Sequence, residues 1–118
     1  MPASPFGFGP EARLPSGRAY RSIFSEGRKI TARNAILWYG ARDEGTARLG
    51  LSVSGKVGNA VRRNRLKRLT REAFRRTRAA LKPADVVVYL RPGCRWQALK
   101  DAEAELSELF RKAGLLEA

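Results

Sequence analysis

The segment from Gly58 to Lys82, GNAVRRNRLKRLTREAFRRTRAALK, constrains this chain more than any other. After Gly58 it contains no Gly or Pro until Pro83, and Asn59 stands at its start as a good helix N-cap. On a helix, Leu66, Leu69, Ala73, Thr77 and Ala80 recur at spacings of three and four along one face, flanked by Phe74 and Leu81. Arg65, Arg68, Arg71, Arg75, Arg78 and Lys82 recur at the same spacings on the opposite face. At ~1.5 Å rise per residue that stripe extends over about 25 Å. From Lys56 to Lys82 there are 11 basic residues and one acid, Glu72, a local charge of +10. Like charges four apart on a helix repel by tenths of a kcal/mol per pair, and a lone acid is expected to relieve little of it. So many guanidinium groups are best held together where phosphates neutralise them. A membrane-surface helix is disfavoured, because the other face carries Thr and Ala where lipid insertion needs bulky apolar groups.

The whole chain carries the same imbalance. It has 118 residues, 24 Lys and Arg against 11 Asp and Glu, and a formal charge of +13, which points to a polyanionic partner. This length fits one domain, and 43% hydrophobic with 30% charged residues fits neither a disordered chain nor a membrane protein. There is no His, which excludes His-based triads and His metal ligands within this chain. The acids are scattered: Asp43 and Glu44 in a turn, Asp85 before a strand, and Asp101, Glu103, Glu105 and Glu108 on the outer face of a helix. No metal-binding cluster and no catalytic side chain is expected from them. The single Cys94 forbids an internal disulfide, fits a reducing compartment and is expected as a buried thiol. With no run near the ~20 apolar residues of a membrane span and no signal-peptide pattern, the expected location is cytoplasmic.

The remaining elements follow from local signals. Pro2, Pro5, Gly7, Gly9 and Pro10 predict a flexible N-terminal extension, in which Phe6 and Phe8 are isolated aromatics. Ser16 as N-cap, Tyr20, Ile23 and Phe24 at helical spacing, and Gly27 as a stop predict a first helix. Ala35 to Tyr39 and Leu49 to Val53 read as strands and predict an antiparallel hairpin across the turn at Arg42–Thr46. The small face of Gly50, Ser52 and Ser54 reads equally as room for a ligand backbone and as a plain exposed strand face. Val86 to Leu90 is continuously apolar, as in a central strand covered on both faces. Leu99, Ala102, Leu106, Leu109, Phe110 and Ala113 form the stripe of a last helix that ends near Gly114.

Residues Leu49 to Arg75, LGLSVSGKVGNAVRRNRLKRLTREAFR, closely resemble the signature of the bacterial ribonuclease P protein subunit. Its diagnostic part, Lys56-Val57-Gly58-Asn59-Ala60-Val61-Arg62-Arg63-Asn64-Arg65-Leu66-Lys67-Arg68, resembles the family's long "RNR" motif. Arg13-Leu14 through Gly27 looks like the family's first helix, with Tyr20 and Phe24 at its two aromatic positions. Asp85 to Arg91 resembles its last strand, and Leu106 to Leu115 its final helix. Gly55 departs from the pattern, standing where many members carry a basic residue.

The resemblance implies an α+β single domain at 13–118 after an extension at 1–12. Its order is a helix, antiparallel strands, the basic helix in a left-handed βαβ crossover, a further strand and a final helix, a ribosomal-protein-like two-layer α/β sandwich. It implies a ribonucleoprotein endoribonuclease in which a catalytic RNA removes the 5′ leader of precursor tRNA, with Mg²⁺ held mainly by the RNA subunit and substrate. No membrane and no protein oligomer is required. The residues implied to contact the catalytic RNA are Lys56, Asn59, Arg62, Arg63, Asn64, Arg65, Lys67, Arg68 and Arg71. Those implied to hold the leader are Tyr20, Phe24, Trp38, Ser52 and Ser54. Two other classes share the charge: a structural, ribosomal-type RNA-binding protein without the long motif, and a metal-dependent nuclease acting alone.

Overall fold

Ser16 starts the first helix as its short polar side chain suggests, its Oγ accepting the Ala19 N–H at 3.3 Å. The computed structural model describes residues 12–117. In chain order these form α1 (Gly17–Glu26), β1 (Arg28–Thr31), β2 (Ala35–Ala41), β3 (Arg48–Val53), α2 (Ala60–Thr77), β4 (Ala84–Leu90) and α3 (Leu99–Lys112). Single 3₁₀ turns at Gly55–Val57 and Arg78–Ala80 flank α2. Asn59 caps α2, its Oδ1 accepting the Arg62 N–H at 2.9 Å. Gly114, at φ +76°, turns the chain after α3 in a left-handed conformation that suits a residue without Cβ.

The sheet has four strands in the order β1-β2-β4-β3. β1 and β2 are antiparallel, as are β2 and β4, while β3 runs parallel to β4. The expected hairpin of β2 with β3 is therefore wrong: β4 lies between them. Val86, Val87 and Val88 are fully buried, so β4 is the central, doubly covered strand its apolar run indicates. α2 closes the β3–α2–β4 connection that parallel neighbours need.

The two sheet faces bury different partners. On one, Leu37, Leu49, Val86, Val88 and Leu90 pack with Leu66 and Phe74 of α2 and Leu106, Leu109 and Phe110 of α3. Phe74 and Phe110 meet edge to face at 6.5 Å between centroids, and truncating either to Ala removes about 3–5 kcal/mol. On the other face α1 lays Ile23 on Val87, with Leu14, Ala19, Tyr20 and Trp38 around them.

Several side chains differ from expectation. α2 stops at Thr77, Ala80 is exposed, and the inward stripe is centred on Leu66, Thr70, Ala73 and Phe74. Arg78, expected on the basic surface, is buried and donates to the Ala47 carbonyl at 3.1 Å and to Thr46 Oγ1. The 3₁₀ turn rotates it off the helix face and onto the β2–β3 turn. Glu105, expected on α3's outer face, instead accepts from Asn34 N at 2.9 Å, Asn34 Nδ2 at 2.6 Å and Trp96 Nε1 at 3.3 Å. Asp85 lies within β4 and takes a bidentate Arg48 guanidinium at 2.7 and 2.8 Å, which holds Arg48 above its ordinary pKa. Ala12, assigned to the extension, is fully buried in the main core, while Phe6, Phe8 and the rest of that segment up to Glu11 lie outside the described residues.

Candidate nucleic-acid interface

At 100° per residue, α2 turns its cations to three directions around a buried centre at Leu66 and Thr70. Asn64, Arg68 and Arg75 point away from the core. Arg63, Lys67 and Arg71 flank the side of β3. Arg62 and Arg65 flank the other side, where Arg62 Nη2 donates to the Cys94 carbonyl at 3.1 Å and Arg65 to the Gln97 carbonyl. Asn64, Arg65, Arg68, Arg71 and Lys56 are exposed, and Arg62, Arg63 and Lys67 are half-buried. Arg63 Nη1 donates to the Gly58 carbonyl at 3.0 Å, and Asn59 has its side-chain oxygen committed to the α2 cap.

The repulsion along α2 is relieved more than the sequence suggests. Glu72 accepts from Arg75 and, at 3.3 Å, from Arg76, and Arg76 also reaches Glu103 of α3 at 3.3 Å. The hydrogen bond from Arg75, reinforced by Arg76, outweighs partial desolvation and brings the Glu72 pKa down to about 2. The last turn of α2 is thus partly neutralised, while Arg65, Arg68 and Arg71 before it stay exposed.

A cleft lies between α1 and the sheet. Register places Trp38 beside Val87 and Gly50, and in the next row Ile36 beside Tyr89 and Ser52, all on the α1 face. α1 covers the first row and leaves the second partly open. Phe24 stands edge-on to Trp38 at 5.2 Å between centroids and stays 40% exposed. Lys29 Nζ lies 5.3 Å from the Trp38 ring. Ser52 is in the open row, whereas Ser54 is past the end of β3 and caps the following turn by accepting the Lys56 N–H at 3.1 Å.

Gly50 does not offer the open surface expected of it. A Cβ there would lie 2.6 Å from Leu14 Cδ1 and 2.7 Å from Tyr20 Cε1. Its smallness lets α1 and the preceding segment close on β3. Leu14 N donates to the Leu49 carbonyl at 3.1 Å, and Leu51 N donates to the Tyr20 hydroxyl at 3.1 Å. Tyr20 is therefore part strap and part cleft wall.

At the edge of β3, Arg71 of α2 and Tyr20 of α1 line a hollow of about 440 Å³ with Arg13, Leu14, Leu49 and Leu51, and Tyr20 is the one α1 aromatic in it. Sequence reasoning missed Ile36 and Tyr89 as cleft residues. The signal for Tyr89 is its position two residues beyond Val87 on a strand whose alternate residues share a face.

Known proteins share this sequence pattern and this fold. The family model for Ribonuclease P matches residues 8–114. The chain belongs to the ribonuclease P protein family. The ribonuclease P protein component of Shouchella clausii is 37% identical, over 90% of this chain and 88% of that relative. That of an Exiguobacterium species is 35% identical, over 87% and 90%. Among solved structures, the Staphylococcus aureus RNase P protein superposes with a TM-score of 0.80 at 26% identity, covering 90% of this chain and 98% of that one. The Thermotoga maritima RNase P protein, in complex with 1-(4-fluorophenyl)-2-thiourea, gives 0.77 at 30% identity, covering 85% and 98%. A mutant of the Staphylococcus aureus protein with defective mRNA degradation activity also superposes at 0.80, with 26% identity over 89% and 90%.

Proposed function

We propose that this chain is the protein subunit of a cytoplasmic ribonuclease P, binding the catalytic RNA through α2 and the 5′ leader of precursor tRNA in the cleft under α1. The observation that carries this reading is the hollow at the edge of β3, where Arg71 of the cationic helix stands beside Tyr20, one of the α1 aromatics. A leader laid on the α1 face of the sheet has bases facing Tyr20, Phe24, Trp38 and Tyr89, and Tyr20 brings it up to the hollow beside Arg71 of the RNA-docking helix. Aromatic faces grip unpaired bases with little sequence preference, which suits leaders of differing sequence. Lys56, Arg68 and the cations on either flank of α2 supply phosphate contacts to the catalytic RNA.

Hydrolysis belongs to that RNA in this reading, with Mg²⁺ held by the RNA and the substrate. Among the described residues no three acids gather where they could hold the ion, and several are committed elsewhere: Asp85 to Arg48, Glu72 to Arg75 and Arg76, and Glu105 to Asn34 and Trp96. Asp101 accepts the Gln97 and Ala98 N–H groups at the start of α3, and its pKa is lowered by them. The protein binds, orients and screens. Reconstitution tests this: nuclease-free protein is expected to leave precursor tRNA intact, yet to raise cleavage by the cognate RNA at low Mg²⁺, because its cations replace part of the ionic screening. Cleavage by the protein alone, or no effect on the RNA, contradicts the proposal.

A further inference from the structure

The loop between β4 and α3, residues 91–98, lies outside the basic motif, yet two arginines of α2 end on it. Arg62 and Arg65 each donate to one of its carbonyls, those of Cys94 and Gln97. The loop is itself fastened from the opposite side. Asn34, buried in the β1–β2 turn, accepts the Arg95 N–H on Oδ1 at 2.8 Å and the Arg91 N–H on its carbonyl at 3.0 Å. Asn34 in turn gives its own N–H and its Nδ2 to the Glu105 carboxylate, which also takes the indole N–H of the fully buried Trp96. Hydrogen bonds joined through the loop backbone thus link α3, by way of the β1–β2 turn, to two guanidinium groups.

We propose that Glu105, acting through Asn34 and Trp96, is a positioning residue that aims Arg62 and Arg65 at phosphates of the catalytic RNA. This rests on the assignment of α2 as the RNA-docking face. A carboxylate on a helix surface ordinarily faces water or a cation; this one is turned to neutral N–H donors that fix a loop. Each loop carbonyl occupies one of the five N–H donors of an arginine, so the fork keeps donors for phosphate while its long stem is held. Ordering such a side chain before binding removes part of the entropy cost from the binding step.

A double-mutant cycle on the full-length protein and its cognate ribonuclease P RNA tests this. Glu105→Gln keeps the size of the side chain and loses one acceptor oxygen. It is expected to raise Kd about three- to tenfold through lost preorganisation, with the salt slope unchanged because no phosphate contact is removed. Combined with Arg62→Ala and Arg65→Ala, the same substitution is expected to add nothing further. Asn34→Ala, breaking the series one step nearer the loop, is expected to behave alike. Equal losses from Glu105→Gln and Asn34→Ala with and without the two arginines overturn the proposal, since a network that merely holds the fold acts in both backgrounds. If the Arg62→Ala, Arg65→Ala protein binds the RNA as tightly as the wild type, the assignment of the docking face fails, and the proposal with it.

Discussion

Phe24 and Tyr20 sit one turn apart on α1 and use their rings differently. Phe24 keeps 40% of its surface in water although Ile23 beside it is buried, which leaves an aromatic face open to a base. Replacing Phe24 by Ala is expected to weaken holoenzyme binding of leader-bearing precursor about five- to hundredfold, at about 1–3 kcal/mol per stacked base. Mature tRNA, which has no leader, should bind both forms equally. Thermal melts run alongside should shift little, because a half-open ring forfeits far less than the ~3–5 kcal/mol of a buried one. Tyr20 does more for the fold. Tyr20→Phe leaves the Leu51 amide without its partner and should cost about 1 kcal/mol in urea unfolding, with the stacking surface intact.

At the scale of elements, the decisive contact is α1 against β3. Gly50→Ala sets a methyl group 2.6 Å from Leu14 and 2.7 Å from Tyr20, so α1 and the strap before it must lift. A loss of about 1–3 kcal/mol is expected in chemical denaturation, together with weaker leader binding and unchanged affinity for the catalytic RNA. α2 carries a pH signature. The Glu72 pKa falls from 4.5 to about 2 on folding, so its ion pairs favour the folded state above 4.5, and that contribution fades as pH falls towards 2. With 35% of its side chain exposed, solvent screening keeps the effect small. The stability difference between wild type and Glu72→Gln, followed by melting from pH 6 to about pH 2, should shrink across that window. The three helices were legible because caps and three-four spacing are local. Strand order was not: β4 enters between β2 and β3 from more than thirty residues away, and Arg28–Thr31 is too short and polar to announce β1.

At the scale of the molecule, the described residues form one domain in which the proposed function uses two surfaces, an exposed cationic helix and an aromatic cleft, with Tyr20 and Arg71 side by side at the edge of β3. The charge and the long motif made the exposed cations of α2, among them Arg65, Arg68 and Arg71, readable from the chain alone. The resemblance named Tyr20, Phe24, Trp38 and Ser52, but placing Ile36 and Tyr89 in the row of Ser52 needed the register of three strands. Sequence also left hidden which arginines are structural, since Arg78 is told from Arg75 only by the 3₁₀ turn that buries it. The central claim is that the exposed cations of α2 face the phosphates of a catalytic RNA. Its most direct test is the salt dependence of that affinity for the wild type and for Arg65→Ala with Arg68→Ala. Each phosphate contact contributes roughly 0.7–0.9 to the slope of log affinity against log salt, so the variant should bind more weakly with a slope flatter by about one to two. A folded variant with the wild-type slope would contradict the account.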